Sequence, residues 1–226
     1  MVKQNKLWKI IIFFIFFPLK SFLLLILLSL FGINSLPPIY GQFLSSIFAL
    51  IVLILLFQLY KKDVLDLLFK KSFKIRYLLI FILIAFLIRL PILPLIFGLL
   101  KNNPNKILES QWPTMSATQG TGAYVEYIIL IMNIVILGPI LEELFHRGIV
   151  FNYLRNKYSP VLTIMISGFL FALVHGNILL IASTLISGIV FAFVYYKTED
   201  IKYPILLHSL VNLFPFIIPY IFLLIK

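Results

Sequence analysis

Residues 141–148 read Leu141-Glu142-Glu143-Leu144-Phe145-His146-Arg147-Gly148. Two carboxylates, an imidazole and a guanidinium stand here at the end of an apolar run, Tyr127 to Leu141, whose only strongly polar side chain is Asn133. Each charge buried in such surroundings costs several kcal/mol even after snorkelling and local water entry. On a helix, Glu143 and Arg147 are four residues apart and share a face, as do Glu142 and His146. Glu142 and Glu143 point about 100° apart, so one can pair with the arginine while the other faces a cavity. Ordinary interfacial charges on a helix leaving a membrane would be the bland alternative.

The run belongs to a chain of 226 residues, 62% hydrophobic and 12% charged. Soluble domains hold about 45–50% apolar residues and about a quarter charged. The composition therefore predicts an all-α polytopic membrane protein, one integral membrane domain over residues 1–226. No cysteine is present, which removes disulfides, thiol nucleophiles and thiolate metal sites. The net charge of +11 is read as orientation charge facing a lipid bilayer, with no nucleic-acid partner.

About seven transmembrane helices are expected. The first covers Leu7 to Phe31, interrupted by Pro18 and Lys20 and too long for a cleavable signal peptide. The second covers Gln42 to Leu59, the third Tyr77 to Leu100, with Arg89 inside and bends at Pro91 and Pro94. Lys61 to Arg76 can lie on the membrane surface as a short amphipathic helix, and Lys101 to Ala123 is a long polar loop. The fourth span runs from Tyr124 into the Glu-Glu stretch. Val161 to His175, Ile178 to Tyr196 and Ile205 to Ile225 complete the set, so the core that carries the motifs is about 124–226. With the N-terminus cytoplasmic, the inner segments hold fourteen Lys and Arg, Arg147 among them, against three outside. That asymmetry follows the positive-inside rule.

The chain has three histidines. His175 ends Phe171-Ala-Leu-Val-His175, and His208 begins His208-Ser-Leu-Val-Asn212, placing Asn212 one turn on and on the same face. A lone histidine on an apolar helix is usually a packing residue. Two of them, with an asparagine and the Glu-Glu pair, in otherwise aliphatic spans point to a shared site.

The order Glu-Glu-x-x-x-Arg (Glu142, Glu143, Arg147), Phe-x-x-x-His (Phe171, His175) and His-x-x-x-Asn (His208, Asn212) resembles the motifs of the CAAX-protease and bacteriocin-processing family, intramembrane proteases often called Abi proteins in bacteria. Gly148, Gly188, Tyr195, Thr198 and Pro204 are smaller likenesses. The resemblance covers about 140–212, and His146 departs from it where the family has an apolar or aromatic residue. It implies a multi-pass protease of the bacterial plasma membrane acting on a membrane-associated peptide or protein, with links to bacteriocin immunity or peptide maturation.

The residues support a chemistry of their own. Peptide hydrolysis without a side-chain nucleophile needs an activated water, a proton donor for the leaving amine and donors for the oxyanion. Glu142 can take a proton from water and return it, and His175 can hold the same water from the other side. His208 and Asn212 can both point N–H groups at the oxyanion, and the resemblance implies the same assignments. Glu143 and Arg147 read as a positioning ion pair. No cofactor is required on this reading. The competing mechanism uses zinc held by Glu143, His146, His175 and His208, although the His-Glu-x-x-His pattern is absent. Two further classes remain open: a non-catalytic immunity or binding protein, and a proton-coupled transporter built on Glu, His and Arg.

One difficulty is depth. Only 21 residues separate His175 from Lys197, and a full span takes about 20. His175 should then lie far from the inner surface and His208, soon after Pro204, near it. They can meet only if the intervening span is short or tilted, or if the last span starts deep.

Overall fold

The structure, a computed structural model, describes residues 77–89, 121–175 and 178–225, with scattered positions between 26 and 51. Most of the first two spans, the basic segment 61–76, residues 90–100, the loop 101–120, Lys20 and the side chain of Arg89 lie outside the described residues. Among the described residues every regular element is helical. Helix α1 is Tyr77–Arg89. Helix α2 is one continuous run over 121–154, made of α-helical Thr121–Ile131, Gly138–Phe145 and Asn152–Leu154 with π-helical Met132–Leu137 and His146–Phe151 between them. Pro160–Leu173 forms α3, Ile178–Thr198 α4 and Lys202–Ile225 α5.

The segment Tyr127–Leu154 is 28 residues long and apolar enough to cross a bilayer. Outward faces of the helices carry apolar rows at four-residue spacing: Leu79, Leu83 and Leu87 on α1, and Val161, Met165, Phe169 and Leu173 on α3. Rows of this kind are stable against hydrocarbon, where the backbone must satisfy its own hydrogen bonds and helices do so internally. The bilayer is thus the solvent for these faces.

Local chemistry explains the breaks. Ser159 caps α3 in extended conformation (ψ 157°), its hydroxyl accepting from the Leu162 N–H, and Pro160 fills the first helical turn where no N–H is needed. Asp200 caps α5: its Oδ1 accepts from the Lys202 N–H at 3.0 Å. Pro139 explains the first π-helical stretch. The Gly138 N–H reaches back five residues to the Asn133 carbonyl, and the next rung in that register would start at residue 139, where proline has no N–H. The Ile134 carbonyl is thereby released from the ladder, and it faces α5.

Helices α3 and α4 meet along a seam of two glycines. A Cβ on Gly188 would stand 2.8 Å from the Gly168 carbonyl oxygen and 2.9 Å from Phe171 Cδ1. A Cβ on Gly168 would stand 2.8 Å from the Ile189 nitrogen. Backbone lies on the far side of both contacts and cannot yield as a side chain does. Gly188→Ala is therefore expected to lower stability by about 1–3 kcal/mol, the usual cost of overpacking. Gly41→Ala, with nothing within 4 Å of its Cβ, is the matched control. A thermal-melting difference no larger for Gly188→Ala than for Gly41→Ala would show that the seam tolerates separation.

Around this seam, Phe171 of α3, Phe191 and Val194 of α4, Tyr203, Leu207 and Val211 of α5, and Phe81 and Ile88 of α1 form one buried cluster. Phe81 and Tyr203 pack edge-on at 5.5 Å, which seats α1 against the start of α5. The turn of α2 bearing the two glutamates lies against α5, and its second π-helical stretch touches both α3 and α4.

Candidate active site

Residues 143–147 are all buried, and Glu143 and Arg147 have no exposed surface. The positive-inside count placed Arg147 in a cytoplasmic segment. It instead lies inside α2, because the helix continues to Leu154. Its guanidinium donates from Nη1 to Glu143 Oε1 at 3.0 Å and from Nη2 to the Gly188 carbonyl at 2.8 Å. The face of the cation lies 4.9 Å from the Phe171 ring centroid. The expected ion pair is present, and the glycine that lets α3 and α4 touch also supplies a carbonyl to it.

Glu143 has a second partner that spacing alone did not reveal. His208 Nδ1 lies 3.1 Å from the same Oε1, across 65 residues of chain. A carboxylate paired with arginine accepts, so Nδ1 carries the hydrogen. Phe191 stacks on the ring at 4.9 Å and 27°, and Phe171 meets it edge-on at 5.5 Å. The imidazole is fixed in tautomer and plane, with Nε2 on its open side.

The His175 ring is set in a comparable way. Its Nδ1 lies 3.0 Å from the Phe171 carbonyl oxygen. A carbonyl only accepts, so here too Nδ1 donates and Nε2 keeps its lone pair. The two histidines meet although the intervening α4 has 21 residues, about 31 Å of rise, and so is not short. Side chains lean toward the helix N-terminus, so the His175 ring folds back one turn onto Phe171, 5.1 Å away. Phe171 packs directly against His208, so one phenylalanine bridges the two rings.

Glu142, His175, His208 and Asn212 line one cavity of about 70 Å³. Phe171, Phe191 and Val211 supply apolar wall, and Thr184 and Ser187 line it from α4. The Oε2 atom of Glu142 is buried and has no hydrogen-bond partner among the described residues. Asn212 is partly committed: Nδ2 donates to the Ile134 carbonyl at 3.0 Å, the oxygen released by the Pro139 break. The amide is thereby oriented, and its second N–H remains. The four expected catalytic residues are brought together.

The zinc set is not. Glu143 is held by Arg147 and His208. His146 is wedged edge-on against Phe145 at 4.9 Å and Phe171 at 5.2 Å. Among the described residues no three His, Cys, Asp or Glu side chains are placed to hold a metal ion. In this arrangement Glu143 and His146 are engaged with other partners.

Asn152 is a further polar residue bonded beside the site, and it carried no signal in the sequence. Its Nδ2 lies 3.1 Å from the Arg147 carbonyl, 3.0 Å from the Gly148 carbonyl and 3.0 Å from the Tyr195 hydroxyl. Its own N–H turns to the Ile149 carbonyl. The second π-helical stretch is thus covered by an asparagine, as the first is by Asn212. Helical windings of this kind recur at functional sites.

Comparison with known proteins agrees with the geometry. Residues 124–214 match the family described as type II CAAX prenyl endopeptidase Rce1-like. The chain is similar to "Putative membrane peptidase YdiL" of Bacillus subtilis (strain 168), 36% identical over 90 residues, 40% of this chain and 36% of that protein. It is also similar to "Membrane-embedded CAAX protease MroQ" of Staphylococcus aureus (strain USA300), 30% identical over 90 residues, 37% of this chain and 36% of that protein. The chain spans about a third of the length of these curated relatives. No solved structure matches it significantly. The matched segment 124–214 holds the glutamate pair, both cavity histidines and Asn212, and over it the chain is similar to CAAX-type membrane peptidases.

Proposed function

We propose that this protein is an intramembrane endopeptidase hydrolysing a peptide bond in a membrane-associated protein or peptide, in the service of bacteriocin immunity or peptide maturation. The observation that carries the reading is the cavity that Glu142, whose Oε2 has no partner among the described residues, lines together with His175 and His208. Glu142 takes a proton from a water that His175 Nε2 holds in place. The resulting hydroxide adds to the scissile carbonyl carbon. The oxyanion accepts from the second Nδ2–H of Asn212 and from His208 Nε2. The Nδ1–H of His208 is committed to Glu143, so Nε2 donates when the ring carries its second proton, and the Glu143 carboxylate balances that charge. Glu142 then passes its proton to the departing amine as the C–N bond breaks. Donors fixed before charge develops are the largest source of catalysis in such sites. Glu143 and Arg147 act by holding His208 and touch no reacting atom.

The test compares bacterial membranes that contain the wild-type chain with membranes that contain His208→Ala at equal abundance, reading new peptide termini by mass spectrometry. New termini confined to the wild-type sample support proteolysis. Identical termini in both, with an immunity phenotype kept by His208→Ala, would move the protein to the binding class.

The same assay separates the glutamate mechanism from a metal mechanism. We expect cleavage to survive dialysis against a strong chelator, and His146→Phe to keep most of the activity, since an edge-on ring is replaced by another. Loss of a metal ligand would weaken a metal site severely. Stoichiometric zinc lost together with activity in His146→Phe would overturn the glutamate reading.

A further inference from the structure

The residues of α4 that meet the site repeat at helical spacing: Thr184, Ser187 and Phe191 line the cavity, Gly188 accepts from Arg147, and Tyr195 meets Asn152. One face of α4 therefore serves as cavity wall at one end and as a handle on α2 at the other. Between them stands the glycine seam, where α4 touches α3 backbone to backbone. Thr184 lies about 6 Å of helix rise on one side of Gly188 and Tyr195 about 10 Å on the other. A rod held closely at an intermediate point and tied at one end has its other end moved when that tie is cut.

We propose that Asn152 and Tyr195 are positioning residues, a tie between α2 and α4 that sets how the α4 wall stands over Glu142. The tie is well placed for this role. Asn152 Nδ2 has two hydrogens and three oxygens within 3.1 Å: the Arg147 and Gly148 carbonyls and the Tyr195 hydroxyl. An amide nitrogen only donates, so the Tyr195 oxygen accepts. Tyr195 is buried and meets Phe151 edge-on at 5.2 Å, so its hydroxyl is held against Asn152. Arg147 is consequently fixed at both ends. Its guanidinium bonds Gly188, and its carbonyl bonds the asparagine that bonds Tyr195. Without the Asn152–Tyr195 link, α4 pivots on the seam and its cavity end swings by a fraction of the displacement at Tyr195. Misplacement of about 1 Å in a catalytic constellation costs on the order of a hundredfold in rate.

The inference rests on the cavity being the active site, and its test is read without any substrate, so its failure is separable from an absence of peptidase activity. The chain has no cysteine, so Thr184→Cys gives a single reporter on the cavity wall. Ile186→Cys, on an outward-facing residue of the same helix, gives a control. The full chain in detergent is treated with methyl methanethiosulfonate, and modification is followed by mass spectrometry. Adding Tyr195→Phe or Asn152→Leu is expected to speed labelling at position 184 about tenfold and to leave position 186 unchanged. The double variant should match Asn152→Leu alone, because that variant already removes the link to Tyr195. An unchanged rate at 184 overturns the proposal. Equal acceleration at 184 and 186 overturns it as well, since that is general loosening, and so does a double variant whose effect multiplies the singles.

Discussion

Glu142→Ala is expected to abolish cleavage while leaving the protein as stable as the wild type. The two halves of this result have one cause. Glu142 Oε2 has no hydrogen-bond partner among the described residues, so alanine breaks no bond of the scaffold there. It removes the acceptor for the proton of the attacking water, a contribution of about a hundred- to ten-thousandfold for a general base. The measurement pairs a rate with a melting temperature. A folded Glu142→Ala variant that cleaves within tenfold of wild type would remove Glu142 from the mechanism. A variant that melts far below wild type would show that the carboxylate is part of the scaffold.

Arg147→Met, five residues along the same helix, is expected to do the opposite. Arg147 is as buried as Glu143 and bonds both that carboxylate and the Gly188 carbonyl. Methionine conserves much of the volume but leaves Glu143 buried without its cation. Removing one partner of a buried pair costs about 3–5 kcal/mol, because the surviving charge is uncompensated. For a chain of this size each kcal/mol lowers the melting temperature by about 2–4 °C, so a fall of roughly 10 °C is expected. Arg147→Met and Glu143→Gln combined should recover part of the loss, since no bare charge remains. A melting temperature within about 2 °C of wild type for Arg147→Met would mean that His208 alone sustains Glu143.

How much of this was legible in the sequence differs residue by residue. The Glu143–Arg147 pair was visible because four-residue spacing fixes a shared helical face. The expected helices after Tyr77 begin close to the observed ones: Ile178 was anticipated as observed, and α3 and α5 start one and three residues earlier than their apolar runs suggested. Capping residues account for that, since Ser159 and Asp200 act on polar positions that hydropathy ignores. The Glu143–His208 bond was not legible. It joins residues 65 apart, and nothing in either motif says which glutamate the histidine chooses. The first π-helical stretch was missed although Gly138-Pro139 inside a long helical run is its signal. Asn212 was read as pointing at the substrate. It also holds a carbonyl that is bare only because of Pro139, and that follows from the winding of a different helix. Arg147 was misplaced because charge counting assumes that a charged residue after an apolar run has left the membrane.

The make-up of the cavity wall has a consequence for its water. Glu142, His175, His208, Asn212, Thr184 and Ser187 bring polar side chains to it beside Phe171, Phe191 and Val211. A cavity with polar groups in its wall takes up water, whereas a wholly apolar one stays dry. Water is one of the two reactants of any hydrolysis, so the polar lining would carry it to a depth where hydrocarbon excludes it.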